Sequence, residues 1–251
     1  MIRALMHGCC GKMGRVITEI CSADPQIEIV AGVDRIKDAS LPYPVYSCLE
    51  ECREQADVII DFSNAAAADG LLEFCAARQI PVVLCTTGLS GEQLDKAEQA
   101  AKKTAVLRSA NMSLGINTLL KVLHAVSGVL ADAGFDMEIV EKHHNQKVDA
   151  PSGTALALAD AINEALQGEY HYVYDRSGVR RKRDPKEIGL SAVRGGSIVG
   201  EHEVIFAGQD EVIELKHTAY SKAIFAKGAV QAAKFLAGQP AGMYDMSQVI
   251  G

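Results

Sequence analysis

Gly8-Cys9-Cys10-Gly11-Lys12-Met13-Gly14 is the stretch that decides the fold. It is a G-x-x-G-x-x-G turn between a short strand, Arg3–His7, and a helix predicted over Gly14–Ala23 with Val16, Ile17 and Ile20 on its apolar face. Glycines let the backbone turn tightly and approach a pyrophosphate, and the helix N-terminus adds free N–H donors and a favourable dipole. A second strand, Ile27–Val33, ends at Asp34. A carboxylate there suits the hydroxyls of an adenosine ribose. Alone, the loop also fits a glycine turn that only packs helix on strand; strand, helix and Asp34 together read as dinucleotide binding. Arg35 follows immediately and suits the extra phosphate of NADPH, whereas Asp34 suits NADH. Carrying both predicts use of either cofactor.

The alternation continues outward from the loop. Strands are predicted at Ala56–Phe62, Pro81–Cys85 and Ala105–Leu107, with helices over Ala65–Arg78 and Gly91–Lys103 between them. Short apolar runs alternating with helices of this length signal a parallel sheet of βαβ units. Ligands of such sheets sit outside the carboxyl ends of the strands. Thr86-Thr87-Gly88, after Cys85, and Ser109-Ala110-Asn111-Met112 stand at two such ends. Each also fits an ordinary connecting turn.

After residue 115 the pattern changes. A long amphipathic helix, Gly115–Ala133, leads to a strand at Met137–Glu141, and Pro151 opens a helix running to about Leu166. Tyr170–Arg194 reads as polar loop. Glu201–Ile205 and Glu211–His217 read as paired strands around a turn at 207–210, and a last helix covers Ala223–Leu236. The expectation is a Rossmann-like α/β domain over residues 1–114 and an α+β domain over 115–222.

The chemistry of the second domain concentrates in Glu141-Lys142-His143-His144-Asn145-Gln146-Lys147-Val148-Asp149-Ala150-Pro151-Ser152-Gly153-Thr154. Adjacent histidines in extended chain point opposite ways, which argues against one shared metal. The pattern suits one proton-transfer group and one binding group, since imidazole titrates near neutral pH. Lys147 adds a cation. Ser152, Gly153 and Thr154, at a helix start, offer hydroxyls and free N–H groups to an anion. The competing reading is surface histidines beside a helix capped by Ser152 or Asp149. The clustering of two histidines, a lysine and a helix start favours a site. Arg194-Gly195-Gly196 opens a second glycine-rich stretch that lacks the strand–helix setting of a nucleotide loop.

Composition narrows the function classes. The chain has 251 residues, 48% hydrophobic and 23% charged, with a net charge of −7. That balance is ordinary for a globular protein, and the acidic total argues against a dedicated nucleic-acid binder. No uninterrupted apolar run approaches 18 residues, so no membrane span is expected. Residues 142–194 carry nine Lys and Arg against seven Asp and Glu, so the average hides a segment of net +2. Its run Arg180-Arg181-Lys182-Arg183 is expected to be a solvated loop. All seven cysteines lie between Cys9 and Cys85. An odd number without a signal-peptide layout predicts reduced thiols and a cytoplasmic location. Cys48 and Cys52 lack a second ligand pair, so no metal is expected. Cys9-Cys10 reads as small residues filling a crowded loop, or as an oxidation-sensitive cofactor loop.

These motifs closely resemble the dihydrodipicolinate reductase family, also called 4-hydroxy-tetrahydrodipicolinate reductase, of bacterial lysine biosynthesis. The stretch Glu141–Thr154 follows the family pattern E-x-H-H-x-x-K-x-D-A-P-S-G-T, and Gly8–Gly14, Thr86–Gly88, Asn111–Ser113 and Arg194–Gly196 fall in family order. The resemblance implies reduction of a cyclic imine dicarboxylate by NADH or NADPH. By position it makes His143 the proton donor and Lys147 a second donor or polarising cation, with His144, Ser152, Gly153 and Thr154 holding substrate. It assigns cofactor contacts to Gly8, Cys9, Cys10, Gly11, Lys12, Met13, Gly14, Asp34, Arg35, Cys85, Thr86, Thr87, Ser109, Ala110, Asn111 and Met112. It also implies that residues 223–251 return to the first domain and that an open mixed sheet in the second builds a homotetramer. Cys9, Cys10, Lys12, Asp34 and Cys85 depart from common family residues. A homoserine or aspartate dehydrogenase relative and a non-catalytic dinucleotide sensor are the rival readings.

Overall fold

The computed structural model describes residues 1–251 except Lys37 and Val179. It divides into two compact units, Met1–Leu114 with Ala223–Gly251, and Gly115–Lys222.

The first unit carries seven parallel strands: β1 (Ile2–His7), β2 (Ile27–Val33), β3 (Val45–Tyr46), β4 (Val58–Asp61), β5 (Val82–Leu84), β6 (Ala105–Leu107) and β12 (Gly242–Tyr244). Their order is β12-β6-β5-β4-β1-β2-β3. Side chains alternate across the central strands β1 and β4, while β2 switches faces at a bulge between Ile29 and Ala31. Ala4, Met6, Val58 and Ile60 face a core with α1 (Lys12–Ser22) and α6 (Ala223–Leu236). Leu5, Ile59, Val82 and Leu84 face the opposite core with α2 (Ala68–Arg78) and α3 (Gly91–Ala101). Both faces are covered, which explains why the strands read as near-continuous apolar runs. Against the predicted spans, α1 starts at Lys12, and the predicted helix from Ala65 opens with a 3-10 turn at Ala65–Ala67. The short β3 and β12, and the terminal α7 (Met246–Ile250), were not foreseen.

The second unit packs α4 (Leu114–Asp132) and α5 (Gly153–Ala165) with a five-stranded mixed sheet of order β11-β10-β7-β9-β8. Its strands are β7 (Asp136–His143), β8 (His171–Val173), β9 (Glu187–Arg194), β10 (Gly200–Ala207) and β11 (Val212–Ala219). β7 runs parallel to β9 and antiparallel to β10. Met137, Ile139, Val204 and Phe206 build the core against Leu119, Leu123, Leu158 and Ile162.

Two expectations are corrected here. Tyr170–Arg194 is not all loop: it supplies β8 and β9. The basic run is not uniformly solvated. Arg183 bonds Asp136, Glu138 and the Met137 carbonyl, and Arg181 pairs with the buried Glu187, so ion pairs hold the run to the sheet. Helix α4 has 19 residues and a mean hydropathy of 1.5, enough by length and composition for a membrane span. Asn117, Lys121, His124 and Ser127 interrupt its apolar sequence, which hid that weight; Leu119 and Leu123 are core residues of this unit.

Candidate active site

The glycine loop is shaped by its own backbone. Gly8 has φ +84°, and a Cβ there would meet the Phe62 carbonyl oxygen at 2.5 Å. A Cβ on Gly14 would meet the Gly8 carbonyl oxygen at 2.4 Å. Only glycine closes this turn and packs α1 on it. Gly11 is the N-cap of α1 and gives no side-chain cap, so the first-turn amides meet no capping side chain. Lys12 and Met13 begin the helix. Asp34 is braced against the loop, its Oδ2 accepting the Cys10 N–H at 3.0 Å and its Oδ1 the Ile36 N–H at 3.3 Å. A cleft of about 470 Å³ opens beside them, lined by Gly8, Gly11, Asp34, Arg35, Ser63 and Asn64 among others. Uncapped amides, a fixed carboxylate and an exposed arginine at one cleft fit the pyrophosphate and ribose of a dinucleotide.

Cys9 is buried and Cys10 half-buried, both against the core behind the loop. Burial, then the neighbouring Cys10, pushes the Cys9 thiol up to about 12. Burial likewise pushes Cys85 well up. Thr86 is buried and Thr87 exposed, past the end of β5. Ser109 and Ala110 follow β6; Asn111 Oδ1 accepts the Ser113 N–H at 2.8 Å, and Met112 is buried.

The strand ends also hold a network that the sequence reading missed. Asp61, closing β4, is fully buried and accepts from His7 Nδ1 at 2.8 Å, Ser63 Oγ at 2.6 Å and Thr86 Oγ1 at 2.7 Å. Burial works to raise its pKa, but these donors outweigh it and hold the carboxylate below its ordinary value. An aspartate ending an all-apolar strand was the available signal.

In the second unit, strand alternation does the positioning. Glu141 and His143 continue the inward-facing series Met137, Ile139, and His202 continues Val204 and Phe206 on the neighbouring strand. His202 pairs in register with Glu141, and Arg194 with His143. Glu141, 1% exposed, sits between two cationic or proton-bearing partners. His143 Nδ1 lies 2.5 Å from its Oε2. Arg194 forks onto both oxygens at 2.8 and 2.7 Å, and the Ser152 N–H donates to Oε1 at 3.0 Å. Burial works to raise the Glu141 pKa; Arg194, His143 and the Ser152 amide overcome it and keep the group ionised. An ionised Glu141 accepts from Nδ1–H, leaving Nε2 as the ring's outward nitrogen. Nε2 would lie 3.1 Å from a Cβ at position 200, so Gly200 makes room for the ring edge.

The Ser152 hydroxyl is committed within the protein. It caps α5 by accepting the Ala155 N–H at 3.2 Å and meets His202 Nε2 at 3.0 Å, and the residue is 2% exposed. Pro151 therefore precedes the helix rather than opening it. Gly153 begins α5, Thr154 follows, and His144 is half-buried just past β7. Lys147 Nζ pairs with Asp149 at 2.8 Å. Two buried polar atoms here, Arg194 Nε and His202 Nδ1, have no hydrogen-bond partner among the described residues. Such orphans mark a place for a polar ligand or water.

Two family models cover nearly the whole chain. "Dihydrodipicolinate reductase, N-terminus" matches residues 2–112 and "Dihydrodipicolinate reductase, C-terminus" matches residues 115–250. The chain belongs to the dihydrodipicolinate reductase family. Among its dihydrodipicolinate reductase relatives, the 4-hydroxy-tetrahydrodipicolinate reductase of Caldanaerobacter subterraneus subsp. tengcongensis is 53% identical, over 100% of this chain and 98% of that protein. The enzyme of the same name from Clostridium novyi is 49% identical with the same coverage. The dipicolinate-bound dihydrodipicolinate reductase of Paenisporosarcina sp. TG-14 superposes with a TM-score of 0.79 at 25% identity, over 98% of this chain and 97% of that one. A probable dehydrogenase from Thermotoga maritima, 11% identical with a TM-score of 0.63 over 99% of this chain and 93% of that one, shares the fold.

Proposed function

We propose that this dihydrodipicolinate reductase reduces 4-hydroxy-tetrahydrodipicolinate, the compound its relatives are named for, and that His143 is the proton donor. The enzyme is an NAD(P)H-dependent oxidoreductase of diaminopimelate and lysine biosynthesis. The substrate is a cyclic imine dicarboxylate. A bound reduced nicotinamide dinucleotide supplies the hydride. Gly8–Gly14 and Asp34 are assigned to its pyrophosphate and ribose, Arg35 to the NADPH phosphate, and Cys85–Thr87 and Ser109–Met112 to its remaining contacts. The first unit is thus the dinucleotide domain, and the second the substrate and assembly domain.

The observation that carries the donor assignment is the Arg194-clamped, buried Glu141 on His143 Nδ1. Glu141 fixes the tautomer and stabilises the imidazolium, so a proton is delivered from Nε2. Arg194 keeps Glu141 from taking that proton itself. Lys147, His144 and the amides of Gly153 and Thr154 position the carboxylates, which develop no new charge in the reaction. Ser152 contributes by holding α5 and His202 in place.

We further propose a cytoplasmic homotetramer. The seven cysteines are all free. Val193 and Val212, on the sheet face opposite His143, are exposed. Light scattering of the purified chain tests the assembly, and a monomer at micromolar concentration would refute it.

The assay generates substrate in situ and follows nicotinamide absorbance with each cofactor. Consumption of NADH or NADPH is the expected result. His143→Gln is expected to lower kcat by roughly 10²–10⁴-fold with cofactor affinity unchanged. A near-normal kcat would remove His143 as the donor.

A further inference from the structure

The mechanism leaves Cys9 and Cys10 without a chemical role. Their sulfurs lie 3.8 Å apart. Two thiolates on one tetrahedral Zn²⁺, with bonds of about 2.3 Å, stand about 3.8 Å apart. An Asp34 oxygen completes a group whose three donor atoms all lie within 4.8 Å of one another, and no other such group occurs among the described residues. A fourth donor is close: the Ile36 carbonyl oxygen, 3.0 Å from Cys10 Sγ. Arg15, whose Nε donates to the Cys10 carbonyl at 3.3 Å, is neutralised by its ion pair with Asp38. Two sulfurs and two oxygens suit a borderline-to-soft ion and not Mg²⁺ or Ca²⁺.

We propose that Cys9, Cys10 and Asp34 bind one thiophilic d¹⁰ divalent cation, Zn²⁺ or Cd²⁺, and that the bound ion excludes the nicotinamide cofactor. The exclusion rests on the assignment of Asp34 and the glycine loop to that cofactor. Binding forms two metal–sulfur bonds and releases two thiol protons to solvent, with no change of oxidation state. The ion draws the Asp34 carboxylate from the Cys10 amide, so the carboxylate offered to a ribose and the loop conformation offered to a pyrophosphate are lost together. The site would make the enzyme sensitive to free thiophilic metal through its cofactor affinity.

The test titrates the full chain with CdCl₂ and reads the thiolate-to-cadmium charge-transfer absorbance. One equivalent per chain is expected. The double variant Cys9→Ser/Cys10→Ser should lose the signal. Asp34→Asn should weaken binding by at least the roughly 10–100-fold typical of an outer-shell partner. Cys48→Ser/Cys52→Ser, at the other cysteine pair, should retain it. If circular dichroism shows the double variant misfolded, Cys10→Ser alone replaces it, because Cys10 is only half-buried. Signal surviving removal of Cys10, or lost on removal of Cys48 and Cys52, overturns the site. NADH fluorescence then reads the exclusion: the apparent Kd should rise in proportion to one plus the ratio of free Cd²⁺ to its own Kd. A single Cd²⁺ bound with NADH affinity unchanged overturns the exclusion. If Gly14→Ala also leaves NADH affinity unchanged in the metal-free chain, the fault lies in the cofactor assignment and not in the metal site.

Discussion

Glu141 and His202 face each other across β7 and β10, yet burial affects them differently. Glu141 stays charged because Arg194, His143 and the Ser152 amide all donate to it. At His202 the charge of Glu141 works the other way but does not offset burial and the nearby His143, which lower its pKa to about 4. A free histidine titrates near about 6.5. Between these values the unfolded chain holds a proton that the folded chain refuses. The stabilisation is therefore complete above pH 6.5 and lost as pH falls toward 4, on the order of 3 kcal/mol in all. Urea unfolding at pH 7, 6 and 5 should show this decline, and His202→Asn should flatten it. Glu141→Gln should instead act on chemistry. It removes the charge that favours imidazolium at His143, so kcat should fall and the alkaline limb of its pH profile should move to lower pH, with cofactor Kd unchanged. An unmoved pH profile would leave Glu141 a purely structural residue.

Helix α6 shows why element boundaries were easier to read than element packing. Its apolar pattern gave Ala223–Leu236, and those are its bounds. Nothing in the pattern said that Gly228 lies against the backbone of residue 112, where a Cβ would approach the Met112 carbonyl oxygen to 1.6 Å. Gly→Ala inside a helix ordinarily stabilises by up to about 1 kcal/mol. Here Gly228→Ala should destabilise by about 2 kcal/mol or more, because backbone must move. Denaturant midpoints at constant m-value decide the sign. β9 was lost to the opposite difficulty. Glu187 and Gly189 read as loop, but Glu187 is buried against Arg176 and Arg181, and Gly189 is bare because the Glu138 carboxylate fills its side-chain space. Ion pairs from the arginines of the preceding loop, and the Glu138 carboxylate from the neighbouring strand, thus fit a polar sequence into an inner strand. The site divides in the same way. Gly8–Gly14 and Glu141–Thr154 are local in sequence and were legible. Asp61 with His7, and Arg194 and His202 around Glu141, are partnerships across strands that spacing along the chain does not encode.

At the scale of the whole molecule, the first unit is discontinuous. Residues 223–251 supply it with α6, the edge strand β12 and α7; Ala226, Ala229, Val230, Ala233, Leu236 and Met246 are core residues of its sheet. Residues 1–114 alone should therefore fail to fold cooperatively. The same segment joined to 223–251 by a short flexible linker should regain a sigmoidal thermal transition. Cooperative folding of 1–114 alone would mean that the returning segment adds little.

That returning segment also bears on the order in which the protein can be completed during translation. The first unit leaves the ribosome first but lacks part of the cover on one face of its sheet until α6 emerges. Gly115–Lys222 is contiguous, and its synthesis occupies roughly 5–20 s at ordinary elongation rates. Throughout that interval the apolar face that carries Met6 and Ile60 has α1 on it but lacks the cover of α6, in a chain still being made. The second unit can therefore finish before the first, reversing the usual N-to-C sequence, and the nascent first unit is the part in need of a chaperone.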